Sequence, residues 1–433
     1  MEKIKAARGT QDILADDAKL WQFIELTAQE HFNQAAFDEI RTPIFEQTKL
    51  FSRAVGESSD IVNKEMYTFN DRSDRSMTLR PEGTAGVVRA YIENALDRSA
   101  KPQRLWYRGP MFRYERPQTG RFRQFHQIGI EAFGLEGPYI DLEVIQLAYS
   151  FLKKLGLNDL KLYINSLGNE ASRQAYRETL LKFLEAHKDE VCEDCQRRME
   201  QNPLRVLDCK VPEDQELYKQ APLLKDSLDE ESLQVWNEVK EALTAMDIDY
   251  VEDPSLVRGL DYYSHCVFEF KTEDKGLGQQ STVLAGGRYD KLAEQLGANP
   301  TPAVGWALGI ERLAYLLKQR LAEEETSSEK NHIYIISDSA LEALKLSQKL
   351  RSDLGKDFVV EFDFDSVKVG KQINKSLKRS ADYALFYLED ERSHGTFKIK
   401  DFALELEEEL SSYSELLEKF QLAGNISKGT VDV

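Results

Sequence analysis

The chain has 433 residues, too many for one ordinary core, and reads as two or three domains. Apolar residues make up 41% and charged residues 30%, a balance that fits a soluble globular protein and excludes a disordered or membrane-embedded one. A net charge of −18 argues against a general nucleic-acid binder, whose surface is ordinarily basic, while leaving room for local basic patches.

The first segment, MEKIKAARGTQDIL, has no apolar signal region, and no run approaches the roughly 18 apolar residues of a membrane span. A cytoplasmic location with no membrane partner is expected. Residues 17–37 place Leu20, Phe23, Ile24, Ala28 and Phe32 on one helical face. EIRTPIFE (39–46) follows as an extended stretch, because Pro43 disfavours helix at Thr42.

Residues 104–134 hold two alternating runs around a Pro-Gln-Thr-Gly turn, the pattern of a β-hairpin. On the first strand Arg113 and Glu115 share a face. On the second, Phe125, Gln127, Gly129 and Glu131 share one, opposite Ile128 and Ile130. His126 alternates away from that face and is not a catalytic candidate. A structural sheet has no need of an arginine, a ring, two carboxylates and an amide on one side. A site that holds a phosphate, stacks a base and grips a small polar substrate does.

The stretch 168–250 is rich in helix formers and charge and reads as a helical insertion. AEEETSSEK (322–330) lacks an apolar stripe and reads as a linker. After it come HIYIIS (332–337), a helix over 339–354 with Leu341, Leu344 and Leu354 among its apolar positions, and FVVEFDF (358–364). A helix near 368–380, then YALFYL (383–388) and TFKIKDF (396–402), complete the alternation of a compact α/β domain over 331–433. The 368–380 helix puts Lys368, Lys371, Lys375 and Lys378 on one face at spacings of three and four. That is either a phosphate-binding stripe or a solvated basic face.

No GxxxxGK[ST] loop, GxGxxG fingerprint, HExxH or GxSxG occurs. If a nucleotide is used, arginines and a metal must do the phosphate work, and Arg113, Arg258 and Arg312 are the candidates. Four cysteines give no disulfide framework. Cys192, Cys195 and Cys209 form CxxC followed by a third thiol, which hints at zinc. Structural zinc wants four ligands, and only His187 suggests itself as the fourth. Reduced thiols in a helical insert are the expectation, and no metal ligand is named.

The 104–134 hairpin resembles motif 2 of class II aminoacyl-tRNA synthetases. TLRPEGTAG (78–86), VRGLDYYSHCVFEF (257–270), AGGRYDKL (285–292) and AVGWALGIERL (303–313) resemble further segments of the histidyl-tRNA synthetase family. The helix followed by EIRTPIFE resembles motif 1, the dimer-interface element. The resemblance implies an α+β catalytic domain over 1–325, built on an antiparallel sheet with a helical insertion, followed by an anticodon-binding α/β domain. It implies activation of L-histidine by ATP with Mg²⁺, transfer to tRNA(His), and a homodimer. Arg113 would meet the α-phosphate and the histidine carboxylate. Arg258 would act beside the α-phosphate, and Arg312 would stack on adenine and reach the triphosphate. Phe125 would stack on the purine, with Glu115 at its exocyclic amine. Glu82, Thr84 and Gln127 would hold the amino group, and Glu131 and Tyr263, with Tyr262 adjacent, the imidazole. Gly286, Gly287 and Arg288 would form a close-packed turn near the pocket, or a plain turn. Two rivals stand beside this reading: a histidine-sensing regulatory subunit on the same fold, and an RNA-binding module, which the negative charge and the polar pocket disfavour.

Overall fold

A computed structural model of the protein describes residues 3–56, 59–98, 102–201, 203–209, 211–257, 262–277, 281–321, 331–365 and 368–426. The chain divides into two compact units, Met1–Glu323 and Glu324–Val433. The segment 322–330, read as a linker, lies outside the described residues.

The first unit opens with α1 (Ala15–Gln34), which buries Trp21, Ile24, Ala28, His31 and Phe32. Phe23, placed on that face by the sequence, is 48% exposed. It lies about 200° around the helix from Trp21, so a stripe that takes Trp21 must leave it out. After α1 come β1 (Asp38–Glu39), β2 (Phe45–Gln47), α2 (Thr48–Val55), β3 (Thr68–Asn70), β4 (Ser76–Leu79) and α3 (Thr84–Glu93). The long pair β5 (Gln103–Phe112) and β6 (Gln124–Phe133) precedes α4 (Pro138–Lys154) and β7 (Lys161–Ser166). The 168–250 stretch supplies α5 (Glu170–Ala186), α6 (Glu193–Gln201), α7 (Pro212–Tyr218) and α8 (Glu230–Ala245). The unit ends with β8 (Tyr250–Glu252), β9 (Ser264–Lys271), β10 (Thr282–Arg288), α9 (Leu292–Gln295), β11 (Ala303–Gly309) and α10 (Ile310–Leu321).

Eight strands form one sheet in the order β1-β5-β6-β11-β10-β9-β7-β8. The two outermost pairings are parallel and the five inner ones antiparallel. Strand alternation gives the sheet two different faces. On one, Trp106, Ile130 and Trp306 stand side by side across β5, β6 and β11. They pack with Ile24 and Phe32 of α1 and Val144, Ile145 and Phe151 of α4. Each such side chain, fully buried, contributes about 1.5–3 kcal/mol. Trp236, Val239 and Leu243 of α8 join the same cluster, so the last helix of the insertion is part of the main core. The opposite face carries Tyr107, Gln127, Gly129 and Glu131, and there the site lies.

Gly286 and Gly287 are not in a turn, as the sequence reading had them, but in the interior of β10. Arg288 ends that strand, buried against Asp141 of α4 with donor–acceptor distances of 3.1 and 2.5 Å. The pair ties the sheet to α4.

The second unit contains β12 (Asn331–Ile336), α11 (Ala340–Leu354), β13 (Phe358–Phe362), α12 (Val369–Lys378), β14 (Tyr383–Phe386), α13 (Glu389–His394), β15 (Phe397–Asp401), β16 (Leu406–Leu410) and α14 (Tyr413–Ile426). Its sheet runs β13-β12-β14-β15-β16, with β12 parallel to both neighbours and the last two pairings antiparallel. On α11 the buried apolar positions are Ala343, Leu346, Leu350 and Leu354. Leu341 and Leu344, read as apolar-face residues, are 60% and 48% exposed.

Candidate active site

A cavity of about 880 Å³ opens on the polar face of the eight-stranded sheet. Its walls bring together Glu82, Thr84, Arg113, Glu115, Phe125, Gln127, Tyr262, Tyr263 and Arg312, residues scattered over 230 positions of sequence. Arg258 lies outside the described residues.

Arg113 and Glu115 do not lie on the first hairpin strand. That strand ends at Phe112, and the two residues fall in the connection to β6. The Arg113 amide still pairs with Arg123, 2.9 Å away, but Tyr114 turns to the Glu65 carbonyl at 2.7 Å. The tight turn comes later, where Gln118 and Arg121 pair. Arg113 donates from Nε to the Pro81 carbonyl at 2.9 Å, and its guanidinium lies 5.2 Å from the centre of the Phe125 ring. The ring read as a purine platform thus also supports an arginine. Glu115 is ion-paired with Arg121 and stands 3.8 Å from Arg113. Arg312 donates to the Thr282 and Gly120 carbonyls, the latter at 3.5 Å. Burial first, and then the cationic Arg121, lower its pKa. A buried cation beside other cations favours an anion, and phosphate fits.

Away from the arginines the walls hold carboxyl, hydroxyl and amide groups. Glu131 is fully buried and does not itself line the cavity; it accepts from the hydroxyl of the wall residue Thr84 at 2.6 Å and pairs with that of the wall residue Tyr289. Burial pushes its pKa from 4.5 to about 8 against the pull of those hydrogen bonds. Glu82 accepts from the Thr84 and Ala85 amides at 2.7 and 2.9 Å, so it caps α3 from within the cavity wall. Burial raises its pKa as well. The Gln127 Oε1 is buried without a hydrogen-bond partner among the described residues, and the Tyr107 hydroxyl is buried beside Thr84 and Glu131. Tyr262 and Tyr263 have ring centres 4.7 Å apart, and Tyr289 lies 5.5 and 6.5 Å from them. His126 points away, with Nδ1 3.0 Å from Glu311 and its ring edge-on to Trp21.

Sequence reasoning missed three residues here. Tyr289 is the tyrosine of GGRYD, masked by glycines and an arginine that carry a turn signal. Tyr107 sits two residues before Gly109 on the strand leading to Arg113, with the parity of the polar face. Arg121 was overlooked because the turn was read only as a turn.

Outside the cavity, His187 bonds Glu190 at 2.9 Å and does not approach the thiols. The group that does is the Asp214 carboxylate. The fourth ligating group beside the thiols is thus Asp214 and not the His187 that the sequence suggested. Lys371, Lys375 and Lys378 lie on α12, whereas Lys368, read as part of that helix, precedes it with an extended ψ of 138°; all four are exposed. Lys375 nevertheless pairs with Asp363 at 2.5 Å, a partner from outside the helix that a helix-only reading could not see.

The family profile described as histidyl-tRNA synthetase matches residues 9–313. The histidine–tRNA ligase of Acaryochloris marina is 48% identical over 400 residues, covering 92% of this chain and 91% of the relative. That of Synechocystis is 47% identical over 437 residues, covering 99% and 96%. The apo histidyl-tRNA synthetase of S. aureus superposes with a TM-score of 0.81 at 38% identity, over 96% of this chain and 100% of that one. Among the described residues no helix is long and apolar enough to cross a membrane. The chain belongs to the histidyl-tRNA synthetase family and is an aminoacyl-tRNA ligase.

Proposed function

We propose that the cavity is where this chain joins histidine to ATP and then to tRNA(His). One observation carries the reading: Thr84 and Tyr289, which both bond the fully buried Glu131 carboxyl behind them, line a single cavity with Arg113 and Arg312. The first can hold a small substrate bearing an imidazole, and the second can hold phosphates.

In the first step a histidine carboxylate oxygen attacks the α-phosphorus of ATP. The bond from that phosphorus to the bridging oxygen breaks, and pyrophosphate leaves with the electron pair. Arg113 bridges the two reactants by neutralising carboxylate and α-phosphate, and Arg312 takes the remaining phosphate charge. Arg258 is proposed to act at the same phosphorus. Fixed cations aimed at developing charge need no reorganisation as the reaction proceeds. In the second step the terminal ribose hydroxyl of the tRNA attacks the acyl carbon and AMP leaves.

Histidine is selected by pairing. Gln127 Oε1, Thr84 and Glu82 face its ammonium. Glu131, Tyr263 and Tyr262 face its imidazole, with Tyr289 fixing the Glu131 carboxyl. A site built from buried polar groups rejects substrates that cannot pair with it by about 10⁴-fold or more. Glu115 and Phe125 are assigned to adenine. Mg²⁺ binds oxygen donors and would neutralise phosphate charge. Glu269, a buried wall carboxylate that accepts from Thr282 at 2.9 Å, is the donor suited to hold it.

The second unit, 331–433, is proposed to bind the anticodon side of the tRNA, with the α12 lysines on its phosphates. A homodimer through the 17–50 region is proposed on the exposed Phe23, Ile44 and Phe45, with Phe69 packed against Phe45. A cytoplasmic location completes the reading.

Histidine-dependent ATP–pyrophosphate exchange tests it. Exchange with histidine and with no other amino acid is the expected result. Histidine binding without any exchange would replace this reading with that of a histidine-sensing subunit.

A further inference from the structure

We propose that Cys192, Cys195, Cys209 and Asp214 form a structural zinc site that fixes one wall of the cavity. The four residues fall within one short stretch, as Cys-x₂-Cys-x₁₃-Cys-x₄-Asp. Their ligating atoms all lie within 4.8 Å of one another. Cys192 Sγ is 3.9 Å from Cys209 Sγ, and Cys209 Sγ is 3.3 Å from Asp214 Oδ2. A tetrahedral ion with Zn–S near 2.3 Å and Zn–O near 2.0 Å places its ligands about 3.8 Å (S to S) and about 3.5 Å (S to O) apart. Those two spacings fit that polyhedron, and the widest of the set, 4.8 Å, closes to it with a shift of about 1 Å. They do not fit a disulfide, whose sulfurs lie about 2.05 Å apart.

The chemistry of the set is selective. Three thiolates exclude magnesium and calcium, and a fourth protein ligand closes the site in the manner of structural zinc. Cys195, Cys209 and Asp214 are all buried, so converging four anionic ligands there needs a cation. On loading, each of the three S–H bonds breaks, the sulfur electron pairs go to zinc, and three protons go to solvent. No electron is transferred. The bound cluster carries a net charge of −2, and donors already surround it. The Cys192 amide lies 3.2 Å from both Asp214 oxygens, and the Val211 amide lies 3.4 Å from Cys209 Sγ. The Tyr218 hydroxyl is buried beside Cys195 and is placed to donate to a thiolate.

The location gives the ion a task. The segment holding the ligands consists of short pieces: α6, a 3₁₀ stretch at Pro203–Asp208, and α7. Short helices with few apolar anchors are marginal alone, and a metal staple offsets that. Arg205, Leu207, Cys209, Pro212 and Gln215 from this segment line the cavity. An ion here would hold that wall in place without touching the reaction.

The full chain, purified under reducing conditions without chelator, decides the matter by elemental analysis and zinc X-ray absorption. About one zinc per chain is expected, with three sulfurs near 2.3 Å and one oxygen near 2.0 Å. Asp214→Cys should keep the metal and replace the oxygen by sulfur in the spectrum. Asp214→Asn should weaken zinc affinity by at least about tenfold. Cys195→Ser should lower the stoichiometry; if that variant does not fold, the wild-type spectrum and Asp214→Cys still decide. Wild-type protein that takes up no zinc when supplied with it under reducing conditions would overturn the proposal. A Cys192–Cys209 disulfide in the native chain would overturn it equally.

Discussion

Glu131→Gln isolates what burial does to the central carboxyl. Glu131 has a folded pKa of about 8 against an ordinary 4.5, raised by burial. Below pH 4.5 it is protonated in both folded and unfolded chains, and its contribution to stability is fully present. Between 4.5 and 8 the unfolded chain ionises and the folded one does not, so stability is lost as pH rises. The loss is about 1.4 kcal/mol per pH unit and roughly 5 kcal/mol in all by the time the folded pKa is passed. Glutamine has nearly the same shape, accepts from Thr84 as the carboxyl does, and cannot ionise. The variant should therefore match the wild type near pH 4.5 and exceed it in stability by about 3–5 kcal/mol at pH 9. Urea unfolding followed by tryptophan fluorescence measures this directly. All four tryptophans, Trp21, Trp106, Trp236 and Trp306, belong to the first unit, so the second contributes no signal. A stability difference between the two proteins that stays constant from pH 5 to 9 would refute the reasoning, because Glu131 would then ionise alike in both states.

Four further outcomes are expected. Gly305→Ala drives a methyl group into the Glu131 carboxylate and the Ile130 carbonyl; it should destabilise the first unit by about 1–3 kcal/mol, read from the same unfolding curves, and weaken histidine binding in calorimetry. Arg312→Lys keeps the charge but loses the fork that holds the Thr282 and Gly120 carbonyls; pre-steady-state adenylate formation should fall by about 10²–10³-fold, whereas a change confined to KM would make Arg312 a binding residue only. Neutralising Lys371, Lys375 and Lys378 together should lower the slope of log tRNA affinity against log salt by about 1.4–1.8, two phosphate contacts' worth, since Lys375 is already engaged by Asp363; an unchanged slope would mark the stripe as a solvated face. Light scattering at micromolar concentration should give twice the chain mass, and a monomer would remove the proposed 17–50 interface.

The elements most legible in the sequence were those whose signal is local. The alternation of β6 separated Ile128 and Ile130, which are buried in the main core, from Gln127 on the cavity wall and Glu131 buried behind it. The misreadings share a different cause: each depended on a partner distant in sequence. Phe23 loses its place on the buried stripe because Trp21 and His31 are taken up by the core instead. Arg113 leaves the strand because Tyr114 finds Glu65, some fifty residues upstream. Asp214 was not considered a metal ligand because a lone aspartate five residues after a cysteine carries no pattern. Only the fold of α6 and α7 brings it to the thiols. Tyr107 looks like an ordinary sheet tyrosine and Tyr289 like the residue after a strand until the fold sets them around Glu131.

The glycines of the motifs follow from the same register. Glycine inside a strand is unfavourable by about 0.5–1 kcal/mol relative to alanine, so its presence on β6 and β11 requires an offsetting gain. Gly129 stands opposite Tyr107 on one side and Ala307 on the other, and a Cβ there would overlap the Tyr107 ring. Gly83, just before α3, would strike the same ring. Gly305 stands opposite Glu131, and its Cβ would overlap the carboxylate. Each glycine thus leaves the volume that a site side chain occupies. Two glycines make room for the Tyr107 ring and one for the Glu131 carboxyl. Enlarging any of the three should move a polar group of the site rather than merely tighten the core. The stability loss and the loss of histidine affinity should then appear together in Gly83→Ala, Gly129→Ala and Gly305→Ala. An alanine at one of these positions that destabilised the fold but left histidine affinity unchanged would separate packing from recognition and break the link drawn here.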